Sequence, residues 1–259
     1  MTAEAAAFRQ RVLGGETLFG MFLNLGSPMA AELCGRAGFD WLVLDMEHGA
    51  LNEAELLASL HAVGSTPATA VVRVEEGTRL RIGRALDFGA PAVMVPRVES
   101  AEEAERIVRF VRYPPLGARG VALPTRGARY GEVTHADVAS AHNQTSLFIQ
   151  IESGQSVDEA ERIAAVDGVD VLFVGPTDLS HALGVPGDIA DARYRDAIRR
   201  VGQAAATQGK QAGVLLWTVD DLPAYIDAGF RLIAIGSDGG HVAAGARAAV
   251  RALRQAVGG

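Results

Sequence analysis

Lysine is almost missing from this 259-residue chain: Lys210 is the only one, and every other basic residue is arginine. Covalent catalysis through a Schiff base needs an amine at the active-site mouth. Lys210 precedes the seventh strand drawn below, on the opposite face, so that chemistry is excluded. Cysteine is equally scarce. Cys34 stands alone, which rules out an internal disulfide and any zinc site of several thiolates. Its neighbours, AAELCGRAG, point to burial. No apolar run is long enough to span a bilayer, and although 49% of residues are hydrophobic the mean hydropathy is only +0.15. Positive charge is also short. A net charge of −7 and a pI near 5.4 lack the basic footprint that phosphate backbones require, so no nucleic-acid partner is expected. The opening residues, MTAEAAAFRQRVLGG, show no basic region followed by an apolar stretch and a cleavage site. A soluble cytoplasmic protein without a membrane partner is expected.

Short β-branched runs alternate with longer segments of helical periodicity, the pattern of βα units around a parallel sheet. Eight strands can be drawn, at 18–23, 41–45, 69–73, 92–95, 147–151, 170–174, 212–216 and 232–235. The fold class is α/β, a single-domain (β/α)₈ TIM barrel. Segments such as SPMAAELCGRAG, NEAELLASLHAV, SAEEAERIVRFVR and SVDEAERIAAV begin with Ser or Asn caps. Several helices stop at a glycine before the next strand, as in RAGFDWLVL, DFGAPAVMV and DAGFRLIAI. An irregular insertion at about 113–146 breaks the rhythm, with a short helix expected over 134–142. A C-terminal helix is expected over about 241–256.

Barrel active sites form where the strands end. Asp45, Glu47 and His48 stand at the end of strand two, Arg73 at that of strand three, and Gln150 and Glu152 at that of strand five. Strand six runs into GPTDLS, with Asp178. Each has a structural alternative: Asp45 and Glu47 as caps, His48 as a satisfied polar residue, Arg73 in a scaffold ion pair, Asp178 as the cap before LSHAL. The joint pattern is more specific. Glu152 and Asp178 end adjacent strands, where two carboxylates suit one hard divalent cation, Mg²⁺ or Mn²⁺ rather than zinc. The Gly175-Pro176-Thr177 turn leads into a helix start, offering backbone N–H groups to a carboxylate. His61, His135, His142, His181 and His241 read as structural or solvated. The 236–240 run, GSDGG, could cradle phosphate.

These residues carry a resemblance. AGFDWLVLDMEHG, VVRV, RALDFGA, VMVPRVESAEEA, RYPPLGARGV, IQIES, GVDVLFVGPTDLS and IAIGSD occur in an order that resembles the HpcH/HpaI aldolases, metal-dependent pyruvate aldolases. The resemblance implies Glu152 and Asp178 as metal ligands, His48 as general base and Arg73 as transition-state stabiliser. Gln150 and the Thr177 backbone would hold the pyruvyl group, and Asp87 in RALDFGA would raise the histidine's basicity. The residue pattern makes Asp45 the more local partner of His48, since Asp87 falls near a helix end toward the opposite face. The resemblance further implies a divalent metal cation (Mg²⁺, Mn²⁺ or Co²⁺) and a homo-oligomer, a hexamer with exchanged C-terminal helices. TRGARYGEV is similar to the 2-dehydro-3-deoxyglucarate branch.

The expected reaction is reversible cleavage of a 2-keto-3-deoxy acid to pyruvate and an aldehyde through a metal-stabilised pyruvate enolate. His48, directly or through metal-bound water, removes the C4 hydroxyl proton, and Arg73 stabilises the developing charge. Leu216 and Trp217 would line the acceptor side, with Arg126 or Arg129 meeting an acceptor carboxylate, in this subunit or a neighbour's. Two other readings stand beside it: a CoA-ester lyase of the citramalyl or malyl type, and a non-catalytic metabolite-binding barrel.

Overall fold

The computed structural model describes residues 3–138 and 144–258. The strands are β1 Leu18–Leu23, β2 Trp41–Asp45, β3 Thr69–Arg73, β4 Ala92–Val95, β5 Ser146–Ile151, β6 Val171–Val174, β7 Gln211–Leu216 and β8 Phe230–Ser237. They close into one parallel barrel in sequence order, with β8 pairing back to β1. The helices are α1 Ala3–Leu13, α2 Pro28–Gly35, α3 Glu53–Val63, α4 Arg79–Asp87, α5 Ala101–Val111, α6 Gly154–Asp158, α7 Ala160–Ala165, α8 Pro176–Ala182, α9 Ala192–Thr207, α10 Leu222–Asp227 and α11 Asp238–Ala256. Every strand expected from the sequence is present, displaced by at most two residues at an end. Gly38, Gly89 and Gly229, the expected helix stops, all have positive φ, at 102°, 89° and 90°.

Alternation along the strands sorts the core into two layers. Phe22, Trp41, Val43, Val71, Met94, Phe148 and Phe173 fill the barrel interior. The intervening residues, such as Leu42, Leu44, Val72 and Ile149, face the helices. The Trp41 indole N–H donates to the Leu18 carbonyl at 3.2 Å, so the largest inner side chain buries no orphan donor.

The floor of the barrel is sealed by α1, a helix the strand-and-helix pattern did not reveal. Its Phe8 and Val12 join the inner layer, Phe8 meeting Phe148 edge-on at 6.5 Å. Burial of two such side chains stabilises by about 1.5–3 kcal/mol each. Arg9 fastens the plug by donating from Nε and Nη2 to the buried Asp170 carboxylate, the closest contact being 2.8 Å. The open end is therefore the carboxyl end of the strands.

Two helix caps differ from expectation. The cap before 156 is Ser153, with Ser156 reaching back as its capping-box partner, because a serine three residues upstream competed for the role. The helix after β6 begins at Pro176 on a Gly175 cap, so Asp178 lies in the first turn and is no cap. In the insertion, Thr134 starts a turn with the Val138 amide donating to its carbonyl at 3.0 Å. The rest of the helix expected over 134–142, with His142, lies outside the described residues. Arg126–Gly131 is a 3₁₀ segment, and Tyr113, Ala128, Val133 and Val138 form a satellite core beneath it.

Candidate active site

The inner-layer register decides which polar residues meet. Trp41 and Val43 point inward on β2, so Asp45, two residues on, does too; Val71 likewise sets Arg73 on β3. Asp45 and Arg73 are direct register partners. Arg73 donates to Asp45 from Nε at 2.9 Å and from Nη2 at 2.7 Å, and its guanidinium lies 5.0 Å over the Phe22 ring. Its Nη1 lies 3.0 Å from Glu47 Oε2. Two of the five guanidinium N–H groups are thus donated to Asp45, and Nη1 stands in ion-pair range of Glu47, whose buried Oε2 accepts no hydrogen bond.

Asp45 also shapes the loop that carries the histidine. Its Oδ1 accepts from the backbone N–H groups of Glu47 at 3.1 Å and His48 at 3.2 Å. Asp45 thus supports His48 through its backbone while holding Arg73, and Glu47 lies 3.8 Å from the imidazole Nε2. Burial raises the Glu47 carboxyl, against the opposing pull of Arg73. The His48 side chain itself is largely open to solvent at the mouth.

On the other side of the mouth, Phe148 sets Gln150 inward on β5, and Glu152 follows. Gln150 Nε2 donates to Glu152 Oε1 at 2.7 Å, and the Arg97 amide donates to Oε2 at 3.2 Å. Burial first, then the charges of Asp178 and Glu47, push the Glu152 carboxyl up to about 7. A carboxylate so placed calls for a cation. The donor set fits a divalent one: Glu152 and Asp178 supply oxygen, and Gln150 Oε1 is a buried acceptor with no hydrogen-bond partner. A Cβ at Gly175 would stand 2.3 Å from Glu152 Oε1, so the β6 turn approaches the carboxylate as only glycine permits. Among the described residues no three His, Cys, Asp or Glu side chains cluster as a closed metal cage. Two carboxylates leave room for oxygen ligands from substrate and water.

Several expected site residues lie elsewhere. On β7, Gly213 and Leu215 take the inward positions, and Leu216 packs in the outer layer at 3% exposure. Its side chain points away from the barrel interior, where the sequence expected it to face an acceptor; Leu215 takes the inward position. Asp87 ends α4, at the face where β4 begins, and accepts from Arg119 Nη2 at 3.1 Å. Arg126 donates to the Phe88 carbonyl at that same face, and Arg129 pairs with Glu132 on the surface. Neither arginine serves its own chain's mouth. The 236–240 phosphate cradle is filled from within: Asp238 accepts from the amides of Asn24 and Gly239 at 2.8 and 2.7 Å, and Ser237 accepts from that of Gly240 at 3.1 Å.

Two contributions were not evident from the sequence: the link of Glu47 to Arg73 and the Arg97 amide. Glu47 was visible as a neighbour of His48, but its link to Arg73 depends on the turn. The Arg97 amide reaches Glu152 because Arg97 has φ 57°, a left-handed conformation no sequence signal marks in an arginine.

A family model described as HpcH/HpaI aldolase/citrate lyase matches residues 18–245. The chain belongs to this family. It is 40% identical to the hydroxypyruvate/pyruvate aldolase of Delftia acidovorans over 92% of this chain and 88% of that one. It is 38% identical to the 5-keto-4-deoxy-D-glucarate aldolase of Klebsiella pneumoniae over 89% and 90%. A solved HpcH/HpaI aldolase/citrate lyase family protein from Burkholderia cenocepacia superposes with TM-score 0.91, at 38% identity, covering 96% and 99% of the two chains. As an HpcH/HpaI protein with close relatives named as aldolases, the chain is an aldolase, a carbon–carbon lyase. Among the described residues, no helix of this family member is long and apolar enough to cross a membrane.

Proposed function

We propose that the enzyme cleaves 2-keto-3-deoxy acids to pyruvate and an aldehyde, and runs the reverse addition with pyruvate or hydroxypyruvate as nucleophile. The observation that carries this is the buried Glu152, held by Gln150 and Arg97 and facing Asp178 across the mouth from Arg73. Glu152 and Asp178 would hold a divalent cation, Mg²⁺, Mn²⁺ or Co²⁺, which supplies Lewis-acid stabilisation to the oxygen that gathers charge. Thr177 and Asp178 present first-turn amides to the substrate carboxylate, Pro176 having none to offer. Gln150 fixes the pyruvyl group beside them.

His48 takes the C4 hydroxyl proton as the C3–C4 bond breaks, and the bonding electrons pass into the pyruvate enolate. The N–H groups of Arg73 that Asp45 does not take stabilise that charge, the guanidinium being held in place by Asp45 and Glu47. Protonation at C3 then releases pyruvate. The test is a panel of 2-keto-3-deoxy acids with Mg²⁺ present, pyruvate being read by lactate dehydrogenase. Pyruvate release from at least one member is expected; activity confined to CoA esters would contradict the assignment.

The enzyme is also read as a homo-oligomer. From residue 241 onward α11 is exposed almost throughout, with Val242, Val250 and Leu253 at 63%, 48% and 68%. Phe19 on the outward side of β1, with Met29 and Leu33 on α2, is likewise uncovered beside the β8–β1 seam. A helix leaving its own barrel bare suits exchange with a second copy, up to the expected hexamer. Asp87, which does not reach His48 within one chain, would act on a neighbour's. Light scattering should show an oligomer that dissociates when residues 241–259 are removed; a monomeric full-length chain would contradict this.

A further inference from the structure

The connections leading out of the strands carry Glu47, Glu75, Glu76, Glu99 and Glu152, but one arginine, Arg97, and no lysine. At the strand end Arg73 is already committed to Asp45 and Glu47. Arg97 is different. Its side chain is exposed and, among the described residues, has no ion-pair partner. Its amide, 3.2 Å from Glu152 Oε2, roots it beside the carboxylate pair.

The backbone there has φ 57°. Glycine would adopt that conformation with less strain and supply the same amide. Only the side chain distinguishes an arginine at this position. A substrate bearing a second carboxylate would otherwise meet an acidic rim with no cationic partner, at a cost that a guanidinium relieves through a paired hydrogen bond.

We propose that Arg97 is a specificity-determining residue, binding a carboxylate on the substrate beyond C4 and so favouring acidic acceptor aldehydes over neutral ones. This rests on the aldolase reading of the same site. It gives to a residue of the β4–α5 connection the role that sequence assigned to Arg126 or Arg129.

The experiment uses the Mg²⁺-loaded full-length enzyme and two six-carbon 2-keto-3-deoxy acids, one ending in a carboxylate and one in a hydroxymethyl group. Arg97→Met removes the charge while keeping an unbranched side chain under the same backbone constraint. The ratio of kcat/KM for the diacid over the neutral substrate should fall about 10- to 100-fold, chiefly through KM. Arg97→Lys should restore part of it, and added salt should lower the wild-type ratio. A ratio within about twofold of wild type in Arg97→Met would overturn the inference, whatever the absolute loss. A wild-type enzyme inactive on both substrates would instead overturn the site reading, and this inference with it.

Discussion

Glu152→Gln is expected to lose at least about 10³-fold in kcat and, in the absence of metal at pH 8, to be more stable than the wild type. The loss follows if Glu152 is half of a two-carboxylate cation site, because Lewis-acid stabilisation contributes several kcal/mol. The gain follows from burial. Glu152 is raised to about 7 by desolvation and by the charges of Asp178 and Glu47, whereas its carboxyl in the unfolded chain titrates near 4.5. Between those values the folded protein keeps a proton that the unfolded chain has released, so stability falls as pH rises through the window. The full penalty, about 3 kcal/mol, is present above pH 7. Glutamine keeps one of the two accepted hydrogen bonds, which reduces the net gain to about 2 kcal/mol. Denaturant melts from pH 5 to pH 8 check this: the metal-free wild type should weaken with pH, and the variant should not. Mg²⁺ should raise the wild-type Tm more at pH 8 than at pH 5, since cation and proton compete for one carboxylate. A variant that keeps wild-type turnover would remove Glu152 from the cation site.

Arg73→Ala is expected to cost both stability and rate. Arg73 is 8% exposed and neutralises Asp45 and Glu47, so its removal strands two carboxylates in a largely buried place. Breaking such a pair from one side costs about 3–5 kcal/mol. The His48 loop loosens too, because its amides are held by the same Asp45 oxygen that receives Arg73 Nε. Loss of the enolate-stabilising donors adds about 10²- to 10³-fold in kcat. Arg73→Lys separates the two effects: it keeps one charge in the pocket and should recover most stability. Its ammonium cannot reproduce the fork that grips Asp45 while pointing at substrate, so the rate should stay low. Equal recovery of stability and rate in Arg73→Lys would show that Arg73 acts only as scaffold.

The barrel was legible because its strands are short apolar runs set between capped helices, and turn glycines such as Gly89 mark where the chain reverses. The site was legible for a related reason: Asp45, Arg73, Gln150 and Glu152 stand where an inward strand position passes from apolar to polar. That change survives small errors in strand ends. It failed at β7, where Leu215 and Leu216 are both apolar and a strand buried on both faces shows no alternation to reveal which one points inward. The α1 plug was illegible because only Phe8 and Val12 mark its inner face, and their destination is a barrel floor distant in sequence. Glu47 and Arg97 owe their positions to a turn held by Asp45 and to a left-handed backbone. Both are tertiary outcomes. Arg126 and Arg129 sit in an eye-catching motif, yet the insertion carries them to the far face of their own barrel.

This mouth is expected to generate a pyruvate enolate with the help of a cation held by Glu152 and Asp178. Exchange of the pyruvate methyl protons in deuterated buffer, followed by NMR without any aldehyde present, measures that step alone. Exchange is expected with Mg²⁺ or Mn²⁺, and should be abolished by exhaustive chelation and by Glu152→Gln. Absence of exchange in the metal-loaded wild type, or undiminished exchange after chelation, would contradict it.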